Sequence, residues 1–69
     1  MAQPDAVAAR HLWMTAAALG DGTAMFNLGL LAEKGIGMVA DPAMAKLWYA
    51  RGAERKHAGS VAAQKRLGG

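Results

Sequence analysis

A glycine-rich segment at residues 35–40 is the part of this sequence that comes nearest to a cofactor motif. It reads Gly-Ile-Gly-Met-Val-Ala and fits the G-x-G-x-x-A form of a dinucleotide-binding turn. Such a turn follows a strand and opens directly into a helix, whose N-terminus binds the pyrophosphate. Here a helical pattern precedes the glycines, and the next helix is predicted to begin only after Asp41. We therefore interpret the segment as a turn between helices and expect no cofactor.

Two histidines and a single serine are the other side chains with catalytic or metal-binding chemistry. His11 and His57 lie 46 residues apart, and neither has a carboxylate at the spacing of a metal ligand. Ser60 follows His57 by three residues, but no acid nearby completes a nucleophilic arrangement. The sequence has no cysteine, which excludes disulfides and thiolate ligands. We therefore expect no catalytic residues, no metal site and no enzyme activity.

The amino-acid composition indicates which secondary-structure elements carry these residues. The 69 residues suffice for one small domain and include 17 alanines, which favour helices. Three valines, two threonines and one isoleucine are too few for a sheet. The five methionines either fill gaps in a core of small residues or form an adaptable surface. No run approaches the ~20 apolar residues of a membrane-spanning helix, and the first residues lack the pattern of a signal peptide.

The sequence repeats itself at an offset of 36 residues. Asp5 falls on Asp41, and Trp13 falls on Tyr49. Each copy has small or apolar residues at i, i+3, i+4, i+7 and i+8, which predicts the same amphipathic helix twice. These residues are Ala9, Leu12, Trp13, Ala16 and Ala17 in the first copy and Ala45, Trp48, Tyr49, Gly52 and Ala53 in the second.

Helix ends can be assigned from capping residues. Asp41 before Pro42 predicts an N-cap, and Asp5 is expected to cap the earlier copy. Gly20 predicts the end of the first helix, whereas Lys56 at the matching position predicts a less well-defined end. Two further helical runs are expected at about 23–34 and 58–67. The sequence thus predicts an all-α domain over residues 1–69 with about four antiparallel helices.

These residues together resemble the Sel-one-like repeat, a relative of the tetratricopeptide repeat. The matching positions are Ala24, Leu28-Gly29, Gly35-Ile36-Gly37, Asp41, Ala45, Trp48-Tyr49 and Gly52-Ala53. The resemblance implies a fragment of an α/α solenoid. Residues 22–57 would form one complete repeat, 5–21 the second helix of a partial repeat and 58–67 a terminal capping helix.

The sequence departs from the repeat pattern at several positions. Ala32 replaces the usual aromatic, Lys56 replaces a turn glycine, and Gln64-Lys65 stands at the offset of Leu28-Gly29. We expect Gly29 to let a neighbouring helix approach closely, and Trp48-Tyr49 to supply most of the bulk among the alanines.

The resemblance also implies a function, which is the binding of a protein or peptide on the concave face of the repeats without catalysis. The positions expected on that face are Thr23, Asn27, Leu30, Glu33 and Lys34. Solenoids usually need three or more repeats. The sequence is therefore compatible with a fragment of a longer array, a capped terminal piece, or a unit that self-associates through exposed faces with Leu12 and Trp13. In bacteria the resemblance is compatible with either the cytoplasm or the cell envelope, and we expect no membrane partner.

An uneven charge distribution supports an alternative. Residues 1–45 carry two cations against four anions, a balance of −2, whereas residues 46–69 carry six cations against one anion, a balance of +5. The basic half could bind a nucleic acid or an acidic partner. The same cations also suit solvated helix faces that keep an alanine-rich chain in solution. The six cations are Lys46, Arg51, Arg55, Lys56, Lys65 and Arg66.

Overall fold

The computed structural model describes residues 4–68, with side chains from residue 7 onward, and it is all-α over that range. The four helices are α1 (Pro4–Ala18), α2 (Gly22–Lys34), α3 (Pro42–Glu54) and α4 (Ala58–Arg66). No strand occurs among these residues. The predictions of an all-α chain and of four helices are therefore confirmed. The prediction that Asp5 caps α1 is wrong, because the helix already includes Pro4 and Asp5 lies within its first turn.

Aspartates begin the two central helices. Asp21 Oδ1 accepts hydrogen bonds from the backbone N–H groups of Thr23 (2.9 Å) and Ala24 (3.3 Å). Asp41 Oδ1 accepts from the Met44 N–H at 3.1 Å, with Pro42 in the first turn. Each carboxylate satisfies N–H groups that have no partner within the helix. The predicted N-cap at Asp41 is confirmed.

The α1–α2 and α3–α4 turns are built alike. Each closes through three backbone hydrogen bonds of 2.9–3.1 Å at the same 36-residue offset. Residues 19–21 donate to the carbonyls of Ala16 and Ala17, and residues 55–57 donate to those of Gly52 and Ala53. The two halves of the chain therefore share turn geometry as well as sequence pattern.

Lys56 occupies a left-handed backbone conformation. Its φ is +60°, beside +93° for Gly20 at the matching position. A side chain costs about 1–2 kcal/mol in this region because Cβ crowds the following carbonyl. The expectation that Lys56 loosens the end of α3 is wrong, since the turn closes as it does at Gly20.

The core consists of two small clusters. One joins α1 and α2 through Ala17, Ala24, Met25, Leu28 and Leu31. The other joins α2, α3 and α4 through Ala32, Ala45, Tyr49 and Ala63. Five of these nine residues lie on α2. Helix α2 is therefore the centre of the fold, and it contacts each of the other three helices.

Glycines permit the closest helix contacts. A Cβ on Gly29 would lie 2.6 Å from Cδ1 of Tyr49, and one on Gly52 would lie 2.7 Å from Cβ of Ser60. Either side chain would push neighbouring helices apart. The predicted close approach at Gly29 is confirmed, and the group that fills the space is the Tyr49 ring.

The two aromatic residues of α3 differ in burial. Tyr49 is 0 % exposed, whereas Trp48 is only half-buried and packs at the edge of the α1–α2 cluster. The Arg51 guanidinium lies 5.2 Å from the centroid of the Trp48 ring. The expectation that both aromatics fill the core therefore holds for Tyr49 alone.

The chain forms a thin slab. Its principal extents are 32 × 25 × 14 Å, and its radius of gyration is 11.2 Å. The shortest extent is little more than the ~10 Å diameter of one helix. Most side chains therefore lie near the solvent, and binding surfaces can form on both sides of α2.

Candidate functional site

One face of α2 carries four of the five residues predicted to bind a partner. Thr23, Asn27, Leu30 and Lys34 are spaced at i, i+4, i+7 and i+11, which places them on one side of the helix. Thr23 and Lys34 are exposed, and Asn27 and Leu30 are half-buried. We call this set the α2 face. Leu30 also packs against the cluster that joins α2, α3 and α4.

Glu33, the fifth predicted residue, stands at the edge of the α2 face next to α4. Its Oε1 accepts a hydrogen bond of 2.7 Å from the Tyr49 hydroxyl. Both terminal nitrogens of Arg66 donate to its two carboxylate oxygens at 2.8 Å. This bidentate arrangement ties α2 to α3 and α4 at one point. The carboxylate of Glu33 is therefore engaged within the chain.

The same contacts shift the pKa values of Glu33 and Tyr49, which form a cluster with Arg66. The hydrogen bond from Arg66, followed by that from Tyr49, lowers the pKa of Glu33 to about 2. Burial, followed by the hydrogen bond to Glu33, raises the pKa of Tyr49 to about 12. Glu33 is consequently ionised and Tyr49 neutral at neutral pH, so neither group is poised to exchange a proton there. The cluster joins helices and has no feature of an acid–base pair.

His57 and Ser60 come together as a helix cap. His57 Nδ1 accepts a hydrogen bond of 3.1 Å from the Ser60 backbone N–H, at the start of α4. The Ser60 hydroxyl lies 3.2 Å from the same nitrogen and is completely buried. The Phe26 ring packs against the His57 ring at a tilt of 36°, with centroids 5.1 Å apart. His57 therefore does for α4 what Asp21 does for α2, 36 residues earlier.

The glycine-rich segment ends α2. Gly35 has a φ of +69° and donates its N–H to the Leu31 carbonyl at 2.8 Å. The Asp41 N–H then donates to the Ala32 carbonyl at 2.8 Å, which folds the loop back onto α2. A helix precedes the glycines, and α3 begins only at Pro42. The segment is a turn between helices, as the sequence predicts.

A groove lies on the opposite side of α2 from the α2 face. It has a volume of about 150 Å³ and runs between α1 and α3, with Leu28 of α2 contributing to its lining. We call it the α1–α3 groove. Its lining residues are Arg10, Met14, Leu28, Met38, Met44 and Trp48.

Sequence reasoning did not find the α1–α3 groove. Its lining comes from three helices and the loop before α3, so no local pattern joins these residues. The only signal was the abundance of methionine, which fits either a core or an adaptable surface. The structure divides the methionines between these roles, since Met25 is 6 % exposed whereas Met14 and Met44 are 46 % and 39 % exposed.

The six cations of the basic half are all exposed, and three of them make contacts within the chain. Arg66 pairs with Glu33, and the Arg51 guanidinium lies over Trp48. The Arg55 side chain lies against the turn at Gly20 and Gly22. Part of the excess positive charge is therefore engaged in contacts within the chain.

Metal and membrane features are absent from residues 4–68. No group of three or more histidine, aspartate and glutamate side chains within this range could hold a metal ion. No helix in this range has the length and apolarity that crossing a membrane requires. Comparison with protein-family models, curated proteins and solved structures found no match.

Proposed function

We propose that this chain is a protein-interaction module that binds a protein or peptide partner on the α2 face and has no catalysis of its own. The observation that carries the proposal is the α2 face itself. It combines a half-buried amide, an apolar side chain and an exposed cation on a helix whose opposite side is held in the core. Such a face presents specific contacts without first having to be ordered.

The arrangement of the helices in this proposal is a fragment of an antiparallel α/α solenoid of the Sel-one-like kind. The matching hydrogen bonds of the two turns support it, because they recur at the 36-residue offset. The packing of Tyr49 on Gly29 supports it as well, since both residues belong to the repeat pattern. In such a solenoid α2 and α4 are first helices of consecutive repeats and line the same concave face.

Each residue of the α2 face has a distinct role in the proposal. The Asn27 amide can donate to and accept from an extended peptide backbone. Leu30 supplies an apolar contact beside it, and Lys34 attracts an acidic group. Thr23 extends the face towards the start of α2. Glu33 borders the face and, through Arg66, keeps α4 beside α2.

Peptide selection followed by mapping tests this proposal. Peptides selected from a random phage-displayed library against the whole chain should shift the backbone amide resonances of residues 23, 27, 30 and 34. The variant Asn27→Ala/Lys34→Glu should weaken these peptides at least about tenfold, because a hydrogen bond and an attractive charge are lost. Leu30 is left in place because its substitution would also remove core contacts.

The control is Lys65→Glu, which makes the same charge change at an exposed position of α4. At the 36-residue offset Lys65 corresponds to Gly29, on the buried side of α2, and not to a residue of the α2 face. It should leave peptide affinity within about twofold, and both variants should keep the melting temperature of the parent chain. Selected peptides that shift other surfaces, or that bind the double variant as tightly as the parent, would contradict the proposal. A single-stranded RNA whose affinity falls steeply with salt, with no peptide selected, would favour the basic half instead.

A further inference from the structure

We propose that the α1–α3 groove docks an acidic amphipathic helix of a partner protein, with one apolar side chain in the groove and carboxylates on either side of it. This surface is separate from the α2 face, because Leu28, which lines the groove, lies on the buried side of α2. The proposal therefore does not depend on the proposed function and is tested separately.

The size of the groove indicates what enters it. Its volume of about 150 Å³ is half or less of the ~300–1,000 Å³ typical of small-molecule sites. It accommodates a single large side chain and not a cofactor. A side chain that enters must come from a segment lying along the surface, so the occupant is a macromolecule.

The lining specifies an apolar anchor. Met14, Met38 and Met44 surround the groove with flexible, polarisable side chains that can adapt to the shape of an incoming residue. Leu28 and Trp48 add rigid apolar surface. A leucine, methionine or phenylalanine of the partner therefore gains apolar contact with these side chains.

Two arginines specify the charge of the occupant. Arg10 lines the groove, and its Nε is buried without a hydrogen-bond partner among the described residues. Arg51, whose guanidinium lies over Trp48, adds a second cation on the α3 side. Among the residues with described side chains, no carboxylate lines the groove. A carboxylate beside the apolar anchor would be attracted by the positive charge of both Arg10 and Arg51.

A helical segment can present an apolar anchor with carboxylates beside it at the smallest loss of conformational entropy on binding. The groove runs between two helices, which is the setting in which an amphipathic helix lays its apolar face. Residues three and four positions from an anchor lie on the same face of a helix. Acidic residues at these positions therefore reach the two sides of the groove while the anchor occupies it.

The probe is a capped helical peptide based on alanine and glutamine, with one leucine and with glutamate four residues before it and three residues after it. Titration into the whole chain, observed through the methionine ε-methyl resonances, should shift those of Met14, Met38 and Met44. The resonance of Met25, which is buried in the α1–α2 cluster, should stay in place. Replacing both glutamates by glutamine should weaken the peptide by about tenfold or more, the effect of losing a charge-assisted hydrogen bond.

A matched pair of protein variants separates the groove from general charge attraction. Arg10→Gln should weaken the glutamate peptide to the level of the glutamine peptide, whereas Lys65→Gln removes one charge from α4 and should not. The proposal is overturned if the three methyl resonances do not move at millimolar peptide, or if both peptides bind equally. It is also overturned if the shifts map to the α2 face, or if Met44→Lys dissociates a dimer of the free chain, because a second copy would then fill the groove.

Discussion

At the scale of single residues, the contacts of Glu33 show how a position predicted from sequence can acquire a different role. The resemblance to the repeat pattern predicts Glu33 among the partner-binding residues. In the structure its carboxylate receives hydrogen bonds from Tyr49 and Arg66 and joins three helices. Arg66 is 33 residues away along the chain, so no local pattern could indicate the pair. The long-range ion pair is a product of how α4 lies against α2.

Low pH should destabilise the folded chain by protonating the carboxylate of Glu33. The pKa of Glu33 is about 2 in the folded chain and ordinarily 4.5, so the unfolded chain binds its proton first as the pH falls. The stability that the ionised carboxylate contributes is complete above pH 4.5 and is lost as the pH falls to about 2. Glu33→Gln should remove this loss and lower the stability at neutral pH.

Melting temperatures of the parent chain and Glu33→Gln between pH 2 and pH 7 measure the effect. The difference between the two proteins should be largest near neutral pH and should vanish near pH 2. The Arg66 side chain is 54 % exposed, so added salt should reduce the difference. A difference that is independent of pH would show that the ionised carboxylate of Glu33 does not stabilise the fold.

At the scale of the helices, the turn at Lys56 stores strain that the turn at Gly20 does not. Both residues have left-handed backbones and close their turns with equivalent hydrogen bonds. Glycine adopts this conformation without a steric penalty. The α3–α4 turn is therefore formed by the contacts around it, including the His57 cap and the packing of Phe26, against the preference of its own residue.

Lys56→Gly should stabilise the chain for this reason. The relief of left-handed strain is expected to add about 1 kcal/mol to the free energy of unfolding. For a domain of this size that corresponds to a rise of roughly 4–8 °C in melting temperature. Lys65→Gly is the control, because it introduces the same residue inside α4 and should lower the melting temperature. A lower melting temperature for Lys56→Gly would mean that the lysine side chain contributes more than its strain costs.

At the scale of the whole molecule, a chain this short has little stability to lose. At ~0.05–0.15 kcal/mol per residue, 69 residues correspond to about 3–10 kcal/mol. The buried clusters consist largely of small residues, and Tyr49 is the one aromatic among them. Integrity of the fold should therefore depend on Tyr49 more than on any residue of either proposed binding surface.

A comparison of Tyr49→Ala with Trp48→Ala tests this dependence. Tyr49→Ala should cost about 3–5 kcal/mol and leave the chain largely unfolded, because its ring is completely buried against Gly29. Trp48→Ala should cost about 2 kcal/mol, since the ring is half-exposed at the α1–α3 groove. Circular dichroism melts at two concentrations about a hundredfold apart give both values and reveal any self-association. Equal melting temperatures for the two variants would contradict the assignment of Tyr49 as the central residue.

Local patterns in the sequence account for much of the secondary structure. Alanine content and helical spacing predict four helices, Asp41 with Pro42 predicts the start of α3, and the glycines at 35–37 predict the end of α2. Gly29 predicts a close helix contact. Each of these features depends either on interactions within about one helical turn or on the absence of a side chain. Local interactions and missing side chains can both be identified from the order of residues.

Packing between distant segments accounts for the rest. The burial of Tyr49 rather than Trp48, the ion pair of Glu33 with Arg66 and the α1–α3 groove all depend on how the helices are rotated and placed against one another. Neighbouring aromatics on a helix point about 100° apart, and only the position of the next helix determines which of them is covered. The periodicity of a sequence defines a helix face, but the three-dimensional arrangement of the helices determines what that face meets.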